Sequence, residues 1–213
     1  MSAPVQTGFL SNARAVLVLG LPLVGSHVAQ FALHVTDTIM LGWYSVTDLA
    51  AGALGATMFF VVFTLGMGFA QAVMPMVATS AAAGEDTEVR RVTRMGIWLS
   101  LGYSALALPV FLLSAPLLGL LGQEPEVARL GGGYLAIVGF GLAPALVAMV
   151  LKSYLAALGR TQVVLWVTLG GVFVNIGANW LLIFGNLGFP ELGARGAALA
   201  SLSVQLVTMV ALL

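Results

Sequence analysis

Six apolar runs, each near or above the roughly 20 residues a helix needs to cross a bilayer, set the terms for this chain. They are Ala15 to Gly42, Ala50 to Ala83, Val92 to Leu113, Gly131 to Leu158, Val163 to Phe184 and Ala197 to Leu213. Their apolar character extends all round each segment and does not alternate with period two. In lipid every backbone N–H and C=O must be satisfied within the fold, so such runs predict closed helices and not barrel strands. The expected fold class is an all-α membrane protein, a six-transmembrane-helix bundle. Composition agrees, because 60% of the 213 residues are hydrophobic and only 8% are charged, against about 25% charged in a soluble domain. A mean hydropathy of +1.06 leaves too little polar surface to meet water.

The same figures exclude several function classes. Eight basic residues balance eight acidic ones, so there is no excess of Lys and Arg for phosphates, and nucleic acid is not a partner. The lack of cysteine removes disulfides, thiolate metal sites and Cys nucleophiles. The run from Ala15 is longer than the roughly 7 to 15 apolar residues of a signal-peptide core, and no A-x-A pattern follows it, so it reads as a retained span.

Charges gather between the runs: Asp48 in the first connection, Glu85, Asp86, Glu88, Arg90 and Arg91 in the second, Glu124, Glu126 and Arg129 in the third. With the amino terminus cytoplasmic, Arg14, Arg90, Arg91, Arg94, Lys152 and Arg160 lie inside and only Arg129 and Arg195 outside. That asymmetry favours the N-in orientation. The stretch Ser114 to Leu121 is too short to cross and is expected at the outer interface. The sixth run stops at Leu213 with no polar flank, which reads as a chain cut inside its last helix. Leu49-Ala-Ala-Gly-Ala-Leu-Gly-Ala and Leu192-Gly-Ala-Arg-Gly-Ala-Ala-Leu-Ala open the second and sixth runs in a similar way, a weak internal echo.

Polar residues within the runs are the informative ones, since an Asp near a helix centre costs about 2.5 to 3.5 kcal/mol on insertion scales. His27, Gln30, His34 and Asp37 are spaced 3, 4 and 3, which puts them on one face over about 15 Å of helix. That face must meet water or protein. Asp37 is the only acid inside any run. It is either an interfacial carboxylate or a buried group that exchanges a proton or a cation, and its place near a helix carboxyl end makes it a poor cap. The exchange reading is preferred. The two histidines read more simply as interhelical donors than as a proton relay, and with one acid nearby and no second His-rich helix, no metal site is expected.

The fifth run holds Thr168, Asn175 and Asn179, spaced 7 and 4 on one face. These amides serve either as interhelical glue or as partners for Asp37 or a bound cation. Pro22, Pro75, Pro109 and Pro144 lie inside runs, where each removes a backbone hydrogen bond and invites a kink. Pro22 shares a helix with Asp37. The methionines at 58, 67, 74 and 76 read as packing.

Several segments in order carry a family resemblance. They are Leu21-Pro-Leu, Gln30 and Val35-Thr-Asp-Thr-Ile-Met-Leu-Gly42 in the first helix, Ala157-Leu-Gly-Arg-Thr161 after the fourth, Asn175-Ile-Gly-Ala-Asn179 with Leu182-Ile-Phe-Gly185 in the fifth, and Gly193-Ala-Arg-Gly-Ala-Ala198 opening the sixth. Over nearly all its length the chain resembles the multidrug and toxic compound extrusion (MATE) transporters, specifically the amino-terminal lobe of a NorM-like member.

The resemblance implies one lobe of a twelve-helix antiporter that exports amphipathic, usually cationic compounds against H+ or Na+, with no cofactor and no catalysis. It implies that Asp37 is the coupling carboxylate, that Asn175 and Asn179 are its polar neighbours, and that Pro22 marks the bend of the first helix. It also places Tyr134 near a cavity tyrosine, and Gln30 and His34, on the face of Asp37, join it as candidate cavity or coupling neighbours. Where some relatives carry a hydroxyl near the start of the sixth helix, this chain has Ala197 and Ala198, so Ser201 or Gln205 would have to substitute. Residues 1–213 are then a single amino-terminal lobe whose partners are membrane lipid, the exported cations, and either a missing carboxy-terminal lobe or a second copy. The implied location is a bacterial inner membrane. Alternatives are a lipid-linked precursor flippase, which would want a cationic cavity, an intramembrane enzyme, which would want a second acid or an activated Ser, and a half-size bundle that dimerises.

Overall fold

The computed structural model describes residues 9–213. Its helices are α1 (Phe9–Tyr44), α2 (Val46–Ala82), α3 (Asp86–Leu112), α4 (Ser114–Leu120), α5 (Pro125–Val138), α6 (Leu142–Ala157), α7 (Thr161–Leu182) and α8 (Ala194–Leu212), with short 3-10 turns at Gly139–Gly141 and Asn186–Gly188. Six helical segments are long and apolar enough to cross a membrane, α5 and α6 together forming one of them, Pro125–Ala157. The chain is an all-α, multi-pass membrane protein. There is no strand among the described residues.

Most of the charges read as loop residues lie instead within helices, the acids among them in first turns. Asp48 is in the first turn of α2, Asp86 and Glu88 in that of α3, and Glu126 in that of α5. Arg90, Arg91 and Arg129 follow within the same helices. The reason is electrostatic: a helix amino terminus carries unpaired N–H groups and partial positive charge, so acids extend the helix ahead of its apolar stretch. Pro125 at the opening of α5 needs no hydrogen bond there.

Connections are correspondingly tight. Between α6 and α7 the chain turns at Gly159, with φ +73, while Gly159 and Arg160 donate their N–H groups to Ala156 O and Leu155 O at 3.0 and 2.8 Å. This is a Schellman ending, which calls for a left-handed residue and therefore glycine. Gly84 closes α2 in the same way.

Pro22, Pro75 and Pro109 sit inside α1, α2 and α3 without ending them. In the fourth span the irregular turn comes at Gly139–Gly141, ahead of Pro144. The proline ring crowds the carbonyl four residues back, here that of Phe140, and the strain is released one turn early.

α1 packs mainly on α7 and α7 on α8, while α2 packs on α3, α5 and α6. The two similar openings noted above both bury small residues: Ala51, Gly52 and Gly55 in α2, and Ala194, Gly196, Ala197 and Ala198 in α8. A Cβ on Gly196 would run into the Leu182 carbonyl, and one on Gly55 would meet the Tyr134 ring at 2.5 Å. Close approach through small residues is how helices associate where lipid supplies no hydrophobic drive. Gly196→Val should therefore cost about 1–3 kcal/mol or more, seen as a lower melting temperature in detergent. Gly102→Ala, where nothing lies within 4 Å of the added methyl, should leave the melting temperature within a degree or two of the parent.

Candidate functional site

The cluster around Asp37 joins three helices. α1 brings Asp37, α7 brings Asn175 and Asn179 one turn apart, and α8 brings Ser201. Asn175 Nδ2 donates to Asp37 Oδ1 at 2.9 Å and Asn179 Nδ2 donates to the same oxygen at 2.6 Å. Ser201 Oγ donates to Asp37 Oδ2 at 3.3 Å. The second hydrogen of Asn179 reaches Asn175 Oδ1 at 3.2 Å. Both amides are within the protein core, Asn175 at 1% and Asn179 at 0% exposure.

Three neutral donors therefore hold the carboxylate, and no cation does. Among the described residues the ion pairs are Arg91–Glu88 and Arg129–Glu126, and Asp37 is in neither. Its charge is partly buried, hydrogen-bonded and uncompensated, the arrangement that makes a carboxylate receptive to a positive partner. The amide orientations follow from the same chemistry. A carboxylate only accepts, so both Asn side chains must present their NH2 groups, which turns their carbonyl oxygens away. Asn175 Oδ1 finds Asn179, but Asn179 Oδ1 is buried with no hydrogen-bond partner. One lone-pair direction on Asp37 Oδ2 and one amide carbonyl are thus available to a proton or a small cation.

The remaining sequence candidates divide around this cluster. Tyr134, 6% exposed, is buried with its ring against Gly55 of α2 and is not among the three donors to Asp37. Gln30 is half-buried with no recorded hydrogen bond, and His27 and His34 are exposed. The four polar residues of α1 spread over about 80° of its circumference at 100° per residue. Gln30 and Asp37 occupy the edge toward α7 and the histidines the open edge. His34 is one turn from Asp37 but does not hydrogen-bond to it. Pro22 is half-buried within the continuous α1, where its missing N–H leaves the Val18 carbonyl without its helical partner. Of the two alternatives on α8, Ser201 reaches Asp37, whereas Gln205 sits against Gly141 at the irregular turn of the fourth span.

One positioning residue was not legible beforehand. Asp48 Oδ1 accepts from the Ala194 N–H at 2.8 Å, so an acid in the first turn of α2 caps the amino terminus of α8. Gly193 precedes that cap with φ +53, and a Cβ there would meet Asp48 Oδ1 at 2.5 Å. The cap fixes the start of the helix on which Ser201 stands two turns later. Asp48→Ala should destabilise the fold by about 1–2 kcal/mol, as other lost caps do. Thermal melting in detergent measures the loss, and Asp48→Asn, which keeps the acceptor oxygen, should recover part of it.

Comparison with known proteins agrees with this architecture. The MatE family model matches residues 22–181. The probable multidrug resistance protein NorM of Rhizobium meliloti (strain 1021) is 46% identical over 197 residues, covering 92% of this chain and 42% of that protein. A protein of the same description from Agrobacterium fabrum (strain C58 / ATCC 33970) is 43% identical, with the same coverage. The chain thus spans about two fifths of the length of these relatives. An outward-facing multidrug resistance MATE family transporter of the MOP superfamily superimposes with a TM-score of 0.83 at 20% identity, over 93% of this chain and 43% of that one. The eukaryotic MATE transporter AtDTX14 does so at 0.84 and 19% identity, over 96% and 45%. The extent of the match is that of one lobe of the MATE fold, and the chain belongs to the MatE family.

Proposed function

We propose that this chain is the half of a cation-coupled multidrug antiporter that carries the coupling site, the drug path being completed by a carboxy-terminal lobe or a second copy. The observation that supports this most is the Asp37 carboxylate, held by three neutral donors with no cationic side chain in partnership. Such a group can exchange H+ or Na+ for a signal felt by α1. When Asp37 is ionised it accepts from both amides and ties α1 to α7. When protonated it becomes a donor, and the unpaired Asn179 Oδ1 is the acceptor within its own cluster. The amide network must then rearrange, and α1 has a reason to repack. A sodium ion would use the same free carboxylate direction and, once the Asn179 amide turns over, the same amide oxygen.

Coupling follows if the drug prefers one packing and the ion the other, because each ligand shifts the equilibrium only by its differential affinity for the two states. Alternating access between two bundles then moves drug outward as the ion moves inward. The relatives' names, multidrug resistance proteins, support amphipathic compounds as substrates. This reading takes the membrane to be a bacterial cell membrane, supported by the bacterial relatives, and the amino terminus to be cytoplasmic, supported by the Lys and Arg asymmetry. A flippase for lipid-linked pyrophosphates would want cationic groups where this cluster has only amides and hydroxyls, and the cluster holds no second acid for catalysis.

The test is gradient-driven uptake of a fluorescent amphipathic cation into everted vesicles containing the chain with its companion lobe. An imposed proton or sodium gradient should drive accumulation, and collapse of that gradient should stop it. Accumulation independent of both gradients would overturn the proposal.

A further inference from the structure

A second site lies at the opposite end of the bundle from Asp48 and Glu191. That end gathers Arg14, Arg90, Arg91, Arg94, Lys152 and Arg160 against three carboxylates, a net +3. The other end has two basic and four acidic residues, a net −2, and Asp37 between them accounts for the remaining charge. Within the basic end, Arg90, Thr93 and Arg94 on α3 and Tyr154 on α6 line a groove of about 400 Å³.

Three features of this groove identify its ligand. Arg90 and Arg94 are exposed and in no ion pair: the nearby Arg91 takes Glu88 at 3.3 Å, and Asp86, one turn before Arg90, forms no salt bridge. Two guanidinium groups one turn apart, with a phenol facing them from α6, present a fork of donors that suits a phosphate. Arg90 comes one turn into α3 and Tyr154 one turn before the end of α6, so the groove sits at headgroup depth and not in the hydrocarbon. Below it the same face of α3 turns apolar. Trp98, one turn beyond Arg94, is 72% exposed, Leu101 on the same face is 37% exposed, and Ala105 one turn further also faces outward. Charged fork, interfacial aromatic and apolar wall succeed one another as the parts of a phospholipid do.

We infer that this groove is a binding site for an anionic phospholipid of the facing leaflet, its phosphate between Arg90 and Arg94, its glycerol region at Tyr154 and Thr93, and its acyl chains along Trp98. The continuous apolar wall commits the site to a lipid and not to a soluble phosphate, which would have no use for it. The inference rests on the multi-pass fold and is independent of the Asp37 proposal.

Trp98 supplies a local reporter. In the protein with Trp43, Trp166 and Trp180 replaced by Phe, Trp98 fluorescence is followed in nanodiscs containing brominated phosphatidylglycerol or brominated phosphatidylcholine, each titrated over the same range of mole fraction. Half-maximal quenching should need less phosphatidylglycerol than phosphatidylcholine, by about five-fold for each arginine engaged. Arg90→Gln with Arg94→Gln should erase that preference, while Arg90→Lys with Arg94→Lys should keep most of it. Arg129→Gln at the other end should change nothing. Equal quenching by the two lipids, a preference that survives the double Gln substitution, or its loss on adding excess inorganic phosphate at constant ionic strength would each overturn the inference.

Discussion

Asp37→Asn should reduce ion-coupled drug efflux to the background of cells lacking the transporter while leaving the protein folded and in the membrane. The reason is the character of the Asp37 cluster. Asn fills nearly the same volume and still offers an oxygen to the amide donors, so packing of α1 on α7 is retained. What it cannot do is alternate between an anion and a partnered form. The substitution also removes a charge that no cation balances, so the cost of keeping that charge out of water is relieved and offsets the weaker hydrogen bonds of a neutral amide. The expected signature is therefore activity lost with melting temperature equal or raised. Drug susceptibility of hypersensitive cells measures the first, and thermal melting of the detergent-solubilised protein the second. Undiminished resistance would remove Asp37 from the mechanism, and a collapsed melting temperature would make its role structural.

Asn179→Leu should be the second most damaging change, lowering coupled efflux about 10- to 100-fold. It deletes the shortest contact of the cluster, 2.6 Å to Asp37 Oδ1, and the link to Asn175 at 3.2 Å. A hydrogen bond to a charged group contributes about 1.5–3 kcal/mol, which sets the range. It also deletes the cluster's own buried amide oxygen without a partner, the acceptor that the partnered form of Asp37 needs. Tyr134→Phe leaves all three donors to Asp37 in place and should cost far less. Transport assays of both variants at matched membrane abundance separate the two, and equal losses would mean that the phenol, not the amide, governs the exchange.

Much of this could be read from the chain because lipid imposes strict rules. Helices must satisfy their own backbone, so the six spans follow from length and apolarity, and a buried acid or amide must find a partner, so Asp37, Asn175 and Asn179 stand out. Their spacing already puts the two amides on one face of α7, and the bundle brings that face to Asp37. Other contacts depend on how distant helices are set against one another, which periodicity does not encode. Ser201 and Gln205 share a face of α8 one turn apart, and only the depth at which α8 starts, fixed by the Asp48 cap and by Gly196 against Leu182, selects Ser201. His34 falls on the open side of α1 because the 100° step carries it past the edge that Asp37 and Gln30 occupy. Charges at helix starts were read as loop because hydropathy sees their cost in lipid and not their gain at a helix terminus.

The central claim, that Asp37 gives up a positive partner when drug binds, is tested most directly by adding an amphipathic cation to the solubilised protein, complete with its companion lobe, in weakly buffered solution and following released H+ with a pH dye or released Na+ with a radiotracer. The account predicts saturable release of one of the two ions, tracking drug occupancy and absent in Asp37→Asn. Release of the same size from Asp37→Asn, or drug binding with no ion released at any pH or sodium concentration, would contradict it.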